Sequence, residues 1–488
     1  MFKENRSRTV FILFFIIIAI RFINITMPIL EGTAMRQAQT ASITRNFYKE
    51  GINMLYPKAD HFGKGPGYLV LEFPLLNALA ASGYMILSGV QEWVGRFLSI
   101  FFFACAAYFL YAITKRLFTK EVAFWSLAVF GFSPLSIIFS RAFMPDFEML
   151  FFSLGALYFL YQFCMTGKVL KFWASAVFLS LALLVKPHSF YIFVPLLYLI
   201  YRKENWKFII NWRNWAYILI AFVPAILWYL HGSAVHAIFT QEQSFNYQLN
   251  NWFNARELLN MSFYINLIKI YGGIMLTPIG LVLCAVGLSV KVKKEQGLIW
   301  AWLVGGIIFL LGFITHMWEP YYHLNILPIC AIFAGRGVVF LRYMILERRS
   351  SIYKWIMAIL ILVSIPLWLR YTAYAYAVPK GYGYVVETGK RIQELTDKED
   401  LIIASAAGGP QSLYFCDRKG WEFLLSVDSN NAIERLEELR SRGAKYFVAA
   451  VMKDFNNNRA FKEYMLENYK LIDKKEDKYI IFLLKDRS

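Results

Sequence analysis

The chain has 488 residues, of which 58% are hydrophobic and 18% aromatic, and its mean hydropathy is +0.45. This apolar fraction exceeds that of soluble globular proteins and indicates a polytopic membrane protein. The net charge of +18 comes from short basic clusters between apolar runs, which argues against nucleic-acid binding. Four of the five cysteines (Cys105, Cys164, Cys284 and Cys330) lie in apolar segments, so no disulfide framework is expected.

The first apolar run, VFILFFIIIAI, follows Lys3, Arg6 and Arg8, and no small-residue cleavage site comes after it. We therefore predict an uncleaved first span rather than a signal peptide. Arg21 directly follows the apolar run, at the end of this span. An ionisable group there is either functional or extends toward a lipid headgroup.

The Lys and Arg clusters predict the topology, because short cytoplasmic loops carry an excess of these residues. All the basic clusters lie on the same side of the membrane as the amino terminus only on one condition. The apolar run 68–87 must lie at the outer interface and must not cross the membrane. Residues 28–92 then form the first external loop of a protein of the cytoplasmic (inner) membrane whose amino terminus is cytoplasmic. About eleven spans are predicted at 10–20, 93–113, 123–139, 149–163, 172–185, 190–201, 215–230, 265–290, 298–315, 324–341 and 355–371.

After residue 371 the composition becomes that of a water-soluble domain, which this topology places outside. The stretches LIIASAA, AKYFVAAV and KYIIFLL are typical of short strands, and NNAIERLEELRS has the spacing of an amphipathic helix. We therefore predict an α-helical membrane domain over residues 1–371 and a small external α/β domain over residues 372–488.

Charged and histidine side chains gather on the predicted outer face, and many follow the first span in the stretch 27–76. Several stand at span ends beside apolar neighbours, where a charge is costly unless it is paired or takes part in chemistry. A solvated loop explains any one of them equally well, whereas the group as a whole favours a site. The set is Glu31, Arg36, Asp60, His61, Glu72, Arg96, Arg141, Asp146, Glu148, Lys186, His188, His316, Glu319 and His323.

Several of these residues lie in stretches that carry a family resemblance. The stretches are MRQAQTASITRNF after Glu31, then LEFPLLNAL, EWVGRFLSIFF, SPLSIIFSRAFMPDFEMLFFSL, LLVKPHSF and PYYHLNILP. In their order and shared outer placement they resemble the membrane-embedded GT-C glycosyltransferases. They are most similar to one branch of glycosyltransferase family 39. This branch includes the protein O-mannosyltransferases and the bacterial aminoarabinose transferase that acts on lipid A. The resemblance implies inverting transfer of a sugar from a polyprenyl-phosphate carrier to a hydroxyl of a lipid, glycan or protein acceptor.

The resemblance also implies roles for single residues. Glu31 matches the family's first-loop acid, Asp146 in MPDFE matches its second-loop acid, and Glu72 matches the acid of a Glu-Lys-Pro-Pro-like motif. Phe73 replaces the basic residue of that motif, so other cations must stabilise the departing phosphate while a carboxylate accepts the acceptor proton. We predict Glu31, Asp146 and Glu148 as catalytic, with Glu31 the base, Arg36, Arg96, Arg141 and Lys186 as phosphate ligands, and Glu72, His61 and His323 in support.

The cofactor and two other function classes stay open at this point. The acids Glu31, Asp146 and Glu148 are also candidate ligands of a divalent metal ion. A transporter or flippase of lipid-linked sugars would show repeated halves and ionisable groups at mid-membrane. The sequence has no repeat and carries one long charged external loop. A non-catalytic membrane scaffold would instead use the α/β domain to bind a partner. The polar set on the outer face favours the transferase.

Overall fold

The computed structural model describes residues 6–239, 253–347, 351–405, 409–425, 431–450 and 452–486. A bundle of apolar helices is followed by a small sheet with flanking helices. The helices of the bundle are α1 (Arg6–Ala19), α2 (Ala34–Glu50), α3 (Leu75–Ile86), α4 (Glu92–Leu117), α5 (Lys120–Phe132), α6 (Pro134–Arg141), α7 (Asp146–Thr166), α8 (Val169–Val185), α9 (Phe193–Glu204), α10 (Trp212–Phe239), α11 (Met261–Lys269), α12 (Thr277–Ser289), α13 (Leu298–Gly312), α14 (Leu327–Glu347) and α15 (Ser351–Ala373).

Within the described ranges, six helices are long and apolar enough to cross a membrane, and the count reaches eight if each of two bent helix pairs is one span. The protein is thus a polytopic membrane protein, but the predicted count of about eleven is not confirmed. The predicted spans 10–20 and 172–185 correspond to helices of 14 and 17 residues. Both are shorter than the roughly 20 residues that a hydrocarbon core requires.

Two of the predicted straight spans are broken. α5 and α6 meet at 61°, and α11 with the π-helical turn that follows it meets α12 at 99°. Each break precedes a proline, Pro134 in one case and Pro278 in the other, and the residue before a proline disfavours the helical conformation. Ser133 accordingly has ψ 127°. Thr277 instead has φ 60°, in the left-handed region, which the following proline does not explain.

Side chains from α15 bind backbone groups that the two breaks leave without a helical partner. The indole Nε1 of Trp368 donates to the carbonyl of Phe132 over 2.6 Å, and the backbone N–H of Ile279 donates to Oγ of Ser364 over 3.0 Å. A broken helix inside a membrane needs such partners because no water can satisfy its free groups. The breaks are therefore a built part of the fold.

Helices α12 and α14 approach each other through glycines. A Cβ atom added to Gly287 would lie 1.7 Å from the carbonyl oxygen of Phe333, and one added to Gly337 would lie 2.0 Å from that of Leu283. Small residues at such contacts allow the backbones of membrane helices to pack closely.

The carboxy-terminal unit is a five-stranded mixed sheet in the order β2-β1-β3-β5-β4, in which β5 runs antiparallel to β3 and β4. Its strands are β1 (Leu401–Ser405), β2 (Gly420–Glu422), β3 (Ala444–Ala449), β4 (Tyr469–Lys475) and β5 (Tyr479–Asp486). Its helices are α16 (Gly383–Leu395), α17 (Gln411–Cys416), α18 (Ala432–Ser441), α19 (Met452–Asn457) and α20 (Arg459–Asn468).

The small α/β unit after the helical bundle is confirmed, and β1, β3, β5 and α18 coincide with the predicted stretches. Four residues of those stretches lie outside the described part of the chain, namely residues 406, 407, 430 and 451. Two strands were not predicted. β2 has only three residues, and β4 reads YKLIDKK, with the charges that protect an edge strand from pairing with another chain.

The first loop holds this unit against the bundle. The N–H of Gly420 in edge strand β2 donates to the carbonyl of Asp60 over 3.0 Å, and the carbonyl of Gly420 accepts from Gly63 over 2.8 Å. Arg45 in α2 reaches the carbonyl of Tyr414 in α17. The loop thus covers the edge of the sheet and connects it to α2, whose first turn carries Arg36.

Candidate active site at one end of the helix bundle

Asp146 and Glu148 lie in the first turn of α7, and their exposed fractions are 0% and 1%. α7 ends at Gly167, whose φ of 69° is the left-handed conformation that suits glycine at a helix end. α8 then returns to the same end of the bundle, where Lys186 follows its last residue. The Nζ atom of Lys186 donates to Oδ1 of Asp146 over 2.7 Å.

A second ion pair joins the two helices of the first loop. Arg36 in α2 donates from Nη2 to Oε1 of Glu72, which lies just before α3, over 2.5 Å. Burial alone would raise the pKa of Glu72, but the charges of Arg36 and Lys186 hold it below its ordinary value. Glu72 is therefore ionised at neutral pH.

The two pairs belong to one group of side chains. Arg36 is close enough to Asp146 for a direct electrostatic effect, and Lys186 acts on Glu72 in the same way. The Nζ atom of Lys186 also lies 5.0 Å from the ring centre of Tyr321. We call Arg36, Glu72, Asp146, Glu148 and Lys186 the ion-pair cluster.

Several buried polar atoms at this place have no hydrogen-bond partner among the residues that the structure describes. They are Oδ2 of Asp146 within the cluster, Oγ of Ser189 in the turn after Lys186, and the side-chain amide of Asn325 in the turn after Tyr321. Leaving a buried polar group unpaired costs about 1–3 kcal/mol. The cluster therefore has an acceptor atom, Oδ2 of Asp146, available to a ligand.

Glu31 lies apart from the cluster, in a tight pair with Arg96 of α4. Nη2 of Arg96 is 2.7 Å from both carboxyl oxygens of Glu31, whose exposed fraction is 4%. The Arg96 guanidinium also donates to the carbonyls of Ile25, Met27 and Pro28. Burial raises the pKa of Glu31 above its ordinary value, and the Arg96 charge opposes this effect.

Gln37 connects this pair to the cluster and was not predicted from the sequence. It follows Arg36, is fully buried, and donates from Nε2 to the carbonyl of Glu31 over 3.1 Å. Its Oε1 accepts from the backbone N–H of Phe143 over 2.9 Å. A glutamine near the start of a helix gives no signal of such a role, because one of its two partners, Phe143, is 106 positions away in the chain.

Arg141, a predicted phosphate ligand, contacts backbone groups in this structure. Its Nε donates to the carbonyl of Ala375 over 3.0 Å, and Nη1 donates to the carbonyl of Arg21. Its guanidinium carbon lies 4.4 Å from the ring centre of Tyr376. Arg141 thus connects the first span to the chain that leaves α15.

Arg21 does not reach a lipid headgroup, so that hypothesis was wrong. Its side chain has an exposed fraction of 0% and lies 3.5 Å from the ring centre of Phe103. Nε donates to Oγ of Ser140 over 2.6 Å, and Nη2 donates to the carbonyl of Gly131 over 2.9 Å. Arg21 binds the bent pair α5 and α6 to the first span.

The predicted supporting histidines lie in different places. His61 is in the part of the first loop that meets the α/β unit, where its ring centre is 4.3 Å from that of Phe62. His323 is fully buried, with Nε2 3.0 Å from the carbonyl of Met317 and Nδ1 3.3 Å from the hydroxyl of Tyr271. Burial lowers the pKa of His323 to about 4, so this side chain is neutral at pH 7.

The four remaining residues of the predicted outer set lie in different environments. His188 is buried, with its ring centre 5.1 Å from that of Tyr322, whereas Glu319 is exposed. Asp60 binds Arg45 over 2.5 Å within the first loop. Oγ1 of Thr315 lies 3.0 Å from Nδ1 of His316.

No group of three or more His, Cys, Asp or Glu side chains in the described ranges is placed to hold a metal ion. The candidate ligands Glu31, Asp146 and Glu148 therefore do not form a metal site here, since Arg96 binds both carboxyl oxygens of Glu31.

Comparison with known proteins confirms the resemblance. Residues 72–228 match a family model described as dolichyl-phosphate-mannose-protein mannosyltransferase. No curated protein sequence matches the chain. Among solved structures, ArnT from Cupriavidus metallidurans has a TM-score of 0.65 at 12% identity, over 98% of each chain.

Two more solved structures share this fold. ArnT bound to undecaprenyl phosphate has a TM-score of 0.63 at 11% identity, over 98% of this chain and 97% of that one. The oligosaccharyltransferase of Archaeoglobus fulgidus has a TM-score of 0.61 at 12% identity, over 93% of this chain and 70% of that one. These proteins are GT-C glycosyltransferases, so this chain has the GT-C fold.

Proposed function

We propose that the protein is a glycosyltransferase that transfers a sugar from a polyprenyl-phosphate carrier to a hydroxyl group of a lipid, glycan or protein acceptor. The observation that carries this proposal is the ion-pair cluster, in which four segments distant in sequence bring two cations and three acids together. Two comparisons support the proposal. Residues 72–228 match a mannosyltransferase family model, and the fold is shared with a protein whose structure was solved with bound undecaprenyl phosphate.

Arg36 and Lys186 are best placed to bind the carrier phosphate. Each now holds one carboxylate, and a phosphate can replace a carboxylate in a charge-assisted hydrogen bond. The Lys186 ammonium has three N–H donors, so it can bind the phosphate while it still holds Asp146. When the phosphate binds Arg36, Glu72 is released to bind sugar hydroxyls. Two cations at the leaving oxygen also stabilise the charge that develops as the bond to the sugar breaks.

Arg96 and Arg141 are proposed to support the site rather than to bind the phosphate. The Arg96 guanidinium binds Glu31 and three carbonyls, and Arg141 binds two carbonyls and a tyrosine ring. A phosphate at either position would have to replace several of these bonds at once. The pair of Glu31 and Arg96 instead fixes the segment before α2, which carries Arg36.

Asp146 is the base that the geometry favours, in place of Glu31. Oδ2 of Asp146 is unpaired, whereas Arg96 binds both carboxyl oxygens of Glu31. In the proposed step Asp146 accepts the proton of the acceptor hydroxyl, and the acceptor oxygen bonds to the anomeric carbon. The bond from that carbon to the phosphate oxygen breaks, and its electron pair leaves with the lipid phosphate. Attack from the side opposite the phosphate inverts the anomeric configuration.

We place this site on the outer face of the cytoplasmic membrane. α4 begins near the cluster at Glu92 and ends at Lys115 and Arg116, which belong to the basic groups expected on the cytoplasmic side. The α/β unit lies at the end with the cluster and is proposed to be external. Cysteine labelling tests this orientation. Because the native Cys416 is buried, the cysteines to be labelled must be introduced by substitution. With membrane-impermeant reagents, Lys64→Cys should be labelled from outside and Lys293→Cys should not.

The experiment that tests the function uses purified protein with labelled polyprenyl-phosphate sugars that differ in the sugar. We expect release of the lipid phosphate from at least one donor only when a hydroxyl acceptor is present, and a product of inverted anomeric configuration. Movement of an intact lipid-linked sugar across a vesicle membrane, without release of the phosphate, would instead favour a flippase.

A further inference from the structure

A cavity of about 300 Å³ lies at the end of the bundle opposite the ion-pair cluster. The start of α1, the end of α4, the start of α5 and the end of α14 form its walls. α4 has 26 residues, so about 39 Å of helix separates this cavity from the residues beside the cluster. The walls include Tyr111, Lys115, Lys120, Glu121, Trp125 and Arg342.

The charge of this cavity is positive. Its lining has three cations, Lys115, Lys120 and Arg342, and one acid, Glu121, which binds Arg342 over 2.5 Å. Within the described part of the chain, no carboxylate lies at ion-pair distance from Lys115 or Lys120. The Nζ atom of Lys115 lies 5.9 Å from the ring centre of Tyr111. The cavity therefore suits an anion such as a phosphodiester.

An apolar groove of about 480 Å³ continues from this cavity along the same helix faces. Trp125 lines both spaces, and Ala128, Val129 and Phe132 follow it on α5 at helical spacing. On α14, Val338 lines the groove one turn before Arg342 lines the cavity. The two spaces share the side chain of Trp125, and we call them together the slot, which is charged in the cavity and apolar in the groove.

The length of the slot fits a lipid chain. From Glu121 to Phe132 the axis of α5 rises about 16 Å, which accommodates most of an extended acyl chain. The groove ends at the two helix breaks, where Ser133 and Thr277 form part of its wall. A chain in this groove would fill the space between α5, α12 and α15 and would therefore stabilise both bent helix pairs.

We infer that this slot binds one anionic glycerophospholipid, with its phosphodiester at Lys115, Lys120 and Arg342 and one acyl chain along α5. Lys115 and Lys120 are exposed at the mouth of the cavity, and a neutral lipid would gain nothing from their charge. A free phosphate would leave the groove unfilled. The inference depends on neither the proposed transfer reaction nor its donor.

The test compares lipids on purified, delipidated protein by native mass spectrometry and thermal melting. We expect retention of one dioleoyl phosphatidylglycerol with a higher melting temperature, much weaker retention of dioleoyl phosphatidylcholine, and no stabilisation by millimolar inorganic phosphate. The variant Lys115→Gln/Lys120→Gln should lose affinity for phosphatidylglycerol by about tenfold or more, since a basic side chain near anionic lipid contributes about 1 kcal/mol. The matched control Lys168→Gln/Lys207→Gln removes two exposed lysines elsewhere and should bind as the wild type does.

A second variant tests the groove without changing a charge. Ala128→Trp should fill it and abolish retention of phosphatidylglycerol, while size-exclusion chromatography shows folded protein. The inference is overturned if the wild type retains both lipids equally, if inorganic phosphate stabilises it as much as the lipid does, or if both variants keep wild-type affinity.

Discussion

The Nζ atom of Lys186 lies 2.7 Å from Oδ1 of Asp146, and the exposed fractions of the two side chains are 5% and 1%. Neither charge is hydrated, so each depends on the other for its stability inside the protein. The second oxygen of Asp146 has no partner among the described residues. This combination of one bound and one available oxygen is what a positioned base requires.

Removing one member of this pair should destabilise the protein strongly. Lys186→Met or Asp146→Leu leaves a buried charge and should lower the free energy of unfolding by about 3–5 kcal/mol, whereas the double variant should lie closer to the wild type. Denaturant unfolding in detergent measures this. The control Lys58→Gln breaks a half-exposed pair with Glu50 and should cost no more than about 1 kcal/mol. Equal effects of Lys186→Met and Lys58→Gln would contradict the burial argument.

The sequence predicted the elements of the fold better than their contacts. Long apolar runs predicted most of the spans, and short apolar runs predicted strands β1, β3 and β5. The two helix breaks were not predicted. The dipeptides Ser133-Pro134 and Thr277-Pro278 could have indicated them, because the residue before a proline disfavours the helical conformation. β4 escaped prediction because the charges in YKLIDKK hide its strand pattern.

The candidate site was predicted as a set of residues and not as a geometry. Arg36 and Glu72 are 36 positions apart and Glu31 and Arg96 are 65, so only the tertiary fold determines these pairs. For the same reason, nothing in the sequence distinguished Arg141, which binds backbone carbonyls, from Lys186, which lies in the cluster. The turn PYYH was recognised, yet His323 was chosen in place of Tyr321.

Arg45 should matter more than Lys49 for holding the α/β unit. Arg45 donates to the carbonyl of Tyr414 in α17 and is held by Asp60, with the side chains of Arg45 and Asp60 each 7% exposed. Lys49 and Asp417 are each 29% exposed. Arg45→Met should therefore destabilise the contact by about 2 kcal/mol or more, and Lys49→Gln by about 0–1 kcal/mol. Limited proteolysis of the segment 374–382, between α15 and α16, should be faster only in Arg45→Met. Equal cleavage rates would show that these contacts do not hold the unit.

His323 should make the protein sensitive to acid. Its pKa of about 4 in the folded state is below the ordinary value of about 6.5, so the unfolded chain takes up the proton first and stability falls as pH decreases from 6.5 to 4. Between pH 7 and pH 5 the loss should be about 2 kcal/mol. Melting temperatures of the wild type and His323→Gln should converge at pH 5.

The close contact of α12 and α14 makes a clear prediction about glycine. In Gly337→Ala the new methyl group would meet the carbonyl oxygen of Leu283, so the helices must separate and the melting temperature should fall by many degrees. Gly312→Ala places a methyl group at the end of α13, where nothing lies within 4 Å, and should be neutral or slightly stabilising. Similar melting temperatures for the two variants would mean that the helices do not approach as described.

The direct test of sugar transfer at the ion-pair cluster is the rate of lipid-phosphate release by wild type, Asp146→Asn and Glu31→Gln. All three proteins must first be shown to be folded and to bind the same labelled polyprenyl-phosphate sugar. If Asp146 is the base, Asp146→Asn should be slower by about a hundredfold or more, and Glu31→Gln should retain more activity than Asp146→Asn. A larger loss in Glu31→Gln would return the base role to Glu31. Release at the wild-type rate by both variants would contradict transfer at this site.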